Sequence, residues 1–204
     1  QALADDAIDL AVASRSLKPE EAERGLRAVG TARTPFVLVT SLPKPEPLQA
    51  RDVAALFSGE RADWNDGTPV RIVLRPETES DTALLEGYYP GMSEALAQAR
   101  LRPEIPVAAT DQDNATAAEK TVGSFTGASL VQMLSEGRDL RPVPIDGVSP
   151  TLENLEAGLY PYEKTLHFFV AEPARPVTKG FASFLDSQAA AAIMVASGIL
   201  PLGR

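Results

Sequence analysis

Short apolar runs rich in β-branched residues alternate with helix-forming segments along all 204 residues, and this alternation restricts the fold more than any other feature. The strand-type runs fall at 8–13, 33–41, 70–74, 106–110, 140–145 and 165–171. Between them the pattern predicts helices over 19–29, 51–57, 92–100, from about 111 to 120, 130–136, from about 149, 177–185 and 187–197. The last of these is alanine-rich, which predicts a closely packed helix. No internal repeat interrupts the series. Strands and helices spaced in this way predict an α/β fold with mostly parallel sheets.

Ligands of such sheets sit beyond the carboxyl ends of the strands, so polar strand ends are the first candidates for a site. Two stand out. One is Ser14-Arg15, after the first strand. The other is Arg75-Pro-Glu-Thr-Glu-Ser80-Asp81-Thr82, which joins the run at 70–74 to a helix start at Ala83-Leu-Leu-Glu86. Ser80 or Asp81 suits the N-cap position, with the free N–H groups of a first helical turn behind it. A helix N-terminus offers backbone donors and a positive dipole end to an anion, and Arg75 adds a planar, permanent charge. The same residues also fit an ordinary capped turn whose arginine pairs with an acidic neighbour. Arg15 likewise fits an ion pair with Glu20 or Glu21.

Composition removes several function classes. A net charge of −9 gives the general surface no attraction for nucleic acid or anionic membranes, so any anion site must be local. The absence of cysteine removes disulfides, thiolate nucleophiles and thiolate metal sites. No apolar run reaches the roughly 18 residues of a membrane span, and the first residues do not form a signal peptide. No nucleophile elbow, phosphate-binding loop or paired metal histidines occur. His167, the single histidine, lies mid-strand as a core or sheet-face residue. Asp81, Asp111 and Asp113 lack calcium-loop spacing and fit helix capping better. Thr110-Asp111-Gln-Asp113-Asn114 is a further strand end, and Trp64, Tyr88 and Tyr89 fit packing roles. No cofactor is expected.

Several stretches, in this order, resemble the phosphate-type solute-binding proteins of ABC importers, with the type II periplasmic-binding-protein fold. They are Asp9-Leu-Ala-Val-Ala-Ser14-Arg15 with Pro19-Glu20-Glu21, Val53-Ala-Ala-Leu-Phe-Ser-Gly59 with Ala62-Asp-Trp-Asn65, and the turn from Arg75 to Thr82. Next come Ile145-Asp-Gly-Val-Ser-Pro-Thr-Leu-Glu-Asn154 with Gly158-Leu-Tyr-Pro161, and the closing segment to Gly198-Ile-Leu-Pro-Leu202. The resemblance spans nearly the whole chain and implies two lobes joined by a hinge of crossing strands. Pro43-Lys-Pro-Glu-Pro47 and 140–145 fall where such crossings belong, giving a first lobe of 1–43 with 146–204 and a second of 44–145. The family's opening strand–turn–helix unit has no counterpart before Ile8, so either those residues precede Gln1 or were cleaved, or the first lobe is genuinely reduced.

The resemblance further implies a non-enzymatic, periplasmic or otherwise extracytoplasmic monomer. It would capture a small oxyanion, phosphate or a relative, in an interlobe cleft for an ABC permease. Ser14, Arg15, Arg75, Ser80, Asp81 and Thr82 are the ligand residues implied. Where the family carries a glycine-serine-glycine-threonine turn, this chain has Glu79-Ser80-Asp81-Thr82, one residue further from the arginine. Asp81 would repel a dianion but accept a hydrogen bond from a protonated ligand oxygen. The competing expectation is a sensory or protein-interaction module on the same fold, with a degraded anion site and an exposed apolar patch.

Overall fold

The structure, a computed structural model, describes residues 1–202. The chain runs through β1 (Leu10–Ala13), α1 (Pro19–Glu23), β2 (Leu26–Thr40), a short 3-10 turn (Ala50–Asp52), α2 (Val53–Ser58), β3 (Arg71–Ile72), α3 (Ser80–Tyr88) and α4 (Met92–Arg100). It continues through α5 (Asp111–Lys120), β4 (Ser124–Ser129), α6 (Leu130–Ser135), β5 (Arg141–Pro142), α7 (Leu152–Glu156), β6 (Glu163–Ala171), α8 (Pro176–Leu185), α9 (Gln188–Ala196) and β7 (Leu200–Leu202). This is a mixed α/β fold.

The chain forms two compact units, Gln1–Thr34 with Glu163–Arg204, and Pro35–Tyr162. These borders differ from the lobe division 1–43, 44–145 and 146–204 expected from the sequence. Phe36, Leu38 and Leu42 on one side, and Ile145, Tyr160 and Tyr162 on the other, all pack into the core of the second unit.

In the first unit β1 pairs antiparallel with β6, and β7 antiparallel with β2. Leu3, Leu26 and Phe169 form a small core. The helix predicted over 19–29 stops at Glu23, because Gly25 turns the chain at φ +86° and residues 26–29 enter β2. The alanine-rich α9 also departs from expectation. Only Ala190 of it is buried, while Ile193 and Val195 are 60% and 50% exposed. His167 stacks parallel to Phe169 on the face of β6, centroids 6.0 Å apart.

In the second unit the end of β2 lies between β5 and β4, antiparallel to both, and β3 runs parallel to β4. Parallel geometry occurs at β3–β4 and at the bridges Leu74↔Val107 and Leu48↔Ile145. The mostly parallel sheets expected from strand–helix alternation do not form, since β4, β5 and β7 run antiparallel to β2 and β1 runs antiparallel to β6. Every residue of β4 is buried. Its Gly127 has room for no side chain, because a Cβ there would stand 2.7 Å from the Phe36 ring. Trp64, Tyr88 and Tyr89 are packing residues. Trp64 donates from Nε1 to the Gly123 carbonyl (3.0 Å), and Tyr89 stacks on Tyr162 at 5.0 Å.

Candidate functional site

The strand leading from β3 continues to Leu74, which makes two hydrogen bonds with the segment before α5. The Leu74 amide donates to the Pro106 carbonyl (2.9 Å), and the Ala108 amide donates to the Leu74 carbonyl (2.8 Å). This parallel pairing brings two strand ends together, Arg75 on one and Thr110-Asp111 on the other. Both lie at the kind of position where α/β sheets hold ligands.

The Arg75 side chain is 6% exposed. Nη1 donates to the Ala108 carbonyl (2.6 Å) and Nη2 to Asp111 Oδ1 (2.8 Å), while a Glu79 carboxylate oxygen stands 3.3 Å from Nη2. Its Nε is buried without an acceptor among the described residues. Arg100, from α4, donates to the Arg75 carbonyl (2.9 Å) and pairs with Glu77 at 3.3 Å. The turn therefore carries two guanidinium groups, each already facing carboxylates. The ion-pair reading of Arg75 is realised in this state, and Nε is its one nitrogen with no acceptor among the described residues.

Helix α3 begins at Ser80, with Glu79 at the cap position instead of Ser80 or Asp81, and no side chain caps it. Proline fixes the turn: the Pro76 carbonyl accepts from the Glu79 amide (3.1 Å) and from the Thr82 hydroxyl (2.9 Å). Thr82 thus braces the turn, although its oxygen retains acceptor capacity. Ser80 Oγ lies 3.5 Å from Asp81 Oδ1, and Asp81 is buried at 3% exposure in the first turn. The positive end of the helix dipole favours an acid there. Arg75, Ser80, Asp81 and Thr82 are consequently gathered at one strand–turn–helix junction.

Ser14 and Arg15 belong to the first unit. Arg15 forks onto Glu21, Nη1 to Oε2 at 2.8 Å and Nη2 to Oε1 at 2.6 Å, as the ion-pair alternative predicted. With the Arg15 hydrogen bond as the main cause, the Glu21 carboxyl is lowered to about 2. Ser14 is half-buried at the end of β1.

The strand end at Thr110 differs in detail from its sequence reading. Thr110 itself caps α5, accepting from the Asp113 amide (3.0 Å), while Asp111 serves Arg75. Asn114 is buried, donating to the Gly127 carbonyl (2.9 Å), and its Oδ1 is 2.9 Å from the Thr126 hydroxyl. These contacts fix α5 against β4. The partnership of Asp111 with Arg75 and the support from Arg100 were missed in the sequence. The nearest signal was the shared position of both residues at strand ends. No group of three or more potential metal ligands occurs among the described residues.

A mixed α/β chain with an arginine and a helix N-terminus beyond a strand end has the architecture of a ligand-binding domain. The family comparison agrees: a model described as PBP superfamily domain matches residues 1–188, and the chain belongs to this family. Solved structures share the fold. One is a substrate-binding protein assigned to phosphate ABC transport, with phosphate bound, from Clostridium perfringens. It has 18% identity and a TM-score of 0.79, with 99% of this chain and 82% of that one covered. An ABC-type phosphate transport receptor from Vibrio cholerae matches at 17% identity and a TM-score of 0.58, covering 98% and 82%. PfluDING, a high-affinity periplasmic phosphate-binding protein bound with phosphate, matches at 16% identity and a TM-score of 0.69, covering 96% and 76%. No curated protein matches the sequence. Among the described residues, no helix is long and apolar enough to cross a membrane.

Proposed function

We propose that this chain is a non-enzymatic, extracytoplasmic solute-binding protein that captures a small oxyanion, phosphate or a related anion, and passes it to an ABC permease as a monomer. The observation that carries the reading is the buried Arg75 fork, with its unsatisfied Nε, beside the first turn of α3. Phosphate-bound proteins of the same fold support it.

In this reading Arg75 supplies the fixed charge and Ser80 a hydroxyl, while Thr82, whose proton goes to the Pro76 carbonyl, offers its oxygen as an acceptor for a protonated ligand oxygen. Asp81 accepts a hydrogen bond from a protonated ligand oxygen. Such an arrangement discriminates by counting donors and acceptors, since an analogue without the proton leaves a buried carboxylate facing charge. Arg15 is committed to Glu21, so the proposed clamp rests on the second unit, and the expectation for Ser14 rests on the resemblance alone.

Thermal unfolding of the intact protein against phosphate, sulfate, phosphonates, molybdate and small carboxylates tests this reading. A ligand specific for the folded state, at 100 times its dissociation constant, stabilises by about 2.7 kcal/mol. One anion class should raise the midpoint. If none does, the oxyanion reading fails and the protein-interaction module takes its place.

A further inference from the structure

The second unit contains a cavity of about 540 Å³ whose lining reaches Val73 and stops short of Arg75. Its apolar surface comes from residues such as Leu56, Ile72 and Ile105. Three guanidinium groups also line it, and they are not equivalent. Arg61 is tied to Glu46 in an ion pair. Arg102 donates from Nη2 to the Phe57 carbonyl near the end of α2, and its Nε is buried with no acceptor among the described residues. Arg71, exposed on β3, makes no ion pair or side-chain hydrogen bond to any described residue. Gly59 allows Arg102 to lie here, since a Cβ at that position would stand 2.8 Å from Nη1.

We propose that this cavity is a second ligand site, separate from the Arg75 junction, and that it takes a small organic monoanion with an apolar body. A carboxylate or sulfonate head group gains charge-assisted hydrogen bonds from guanidinium groups that line the cavity. Arg71 is a second cation available to the same head group. Asp63 and Glu104 also line the cavity, but both are exposed and remain hydrated, so they call for no partner. Inorganic phosphate has no apolar body to fill the lining of Leu56, Ile72 and Ile105. The volume lies within the range of small-molecule pockets, and the apolar lining holds a ring or short chain.

Amide chemical-shift mapping with naphthoate, naphthalenemethanol and inorganic phosphate tests the site. Naphthoate should shift the amides of Leu56, Ile72 and Ile105, and the neutral alcohol should bind at least about tenfold more weakly, as expected for loss of a charge-assisted contact. Phosphate should leave those amides unmoved. Arg71→Gln, at an exposed position that leaves folding intact, should weaken naphthoate by about tenfold, and Arg102→Gln should weaken it further. The site is overturned if naphthoate shifts none of these amides at millimolar concentration, or shifts only α8 around Phe181 and Phe184. It is also overturned if the alcohol binds as well as the anion, or if Arg71→Gln leaves the affinity unchanged.

Discussion

Arg75 Nη2 donates to Asp111 Oδ1 over 2.8 Å, joining residues 36 positions apart in the sequence. The contact neutralises the cation on which the proposed anion site depends. Asp111→Asn retains an acceptor oxygen and removes the charge. Calorimetry should show about tenfold tighter phosphate binding in this variant, because a carboxylate beside the anion is gone. The same change should lower stability by about 1 kcal/mol, between the values for exposed and buried pairs, since Arg75 is buried and Asp111 is 41% exposed.

The Arg15–Glu21 pair sets a pH dependence in the first unit. Glu21 is depressed from 4.5 to about 2 in the folded chain, chiefly by its hydrogen bond to Arg15. A depressed carboxyl contributes stability above its unfolded value that is lost as pH falls through the folded one. Glu21→Gln should therefore be less stable than wild type at pH 6, by at most about 1 kcal/mol for so exposed a pair. The difference should shrink steadily between about pH 4.5 and pH 2. Urea unfolding of both proteins across that range checks it.

Two buried tyrosines should respond in opposite ways to loss of their hydroxyls. Tyr160 donates to the Phe36 carbonyl at 2.8 Å, whereas the Tyr89 hydroxyl is buried without a partner among the described residues. Burial pushes both phenols well above their usual range. Tyr160→Phe should cost about 1–2 kcal/mol, while Tyr89→Phe should be neutral or stabilising. Chemical denaturation of the two variants separates them.

Gly123 is fixed by both conformation and space. It has φ +73°, and a Cβ there would lie 2.3 Å from the Pro69 carbonyl oxygen. Its own carbonyl accepts from the Arg71 amide and the Trp64 indole. Gly123→Ala should destabilise by about 2 kcal/mol or more, read as a drop in the denaturation midpoint.

Much of the fold was legible in local pattern, and what escaped depends on partners distant in sequence. Helix α4 spans the predicted 92–100, and the predicted 177–185 and 187–197 lie within a residue of α8 and α9 at each end. Strand direction was not legible, because side-chain period is the same in parallel and antiparallel pairs. Residues 26–29 were assigned to a helix because charge pattern carried the reading past Gly25. The exposure of α9 was also hidden, since alanine content identifies a helix without saying what packs on it. At the candidate site, the residue types at 75 and 80–82 were readable. Their partners Asp111 and Arg100 were not, because they reach the turn only through the Leu74↔Val107 pairing and the packing of α4.

The most direct test is calorimetric titration of inorganic phosphate into the wild-type chain, Arg75→Lys and Arg75→Ala, with circular dichroism confirming that each is folded. Wild type should bind one-to-one, Arg75→Lys, which keeps the charge and loses the planar fork, should bind more weakly, and Arg75→Ala should give no heat. Equal phosphate affinity in wild type and Arg75→Ala would contradict the oxyanion reading, and so would a wild-type chain that binds neither phosphate nor any related oxyanion.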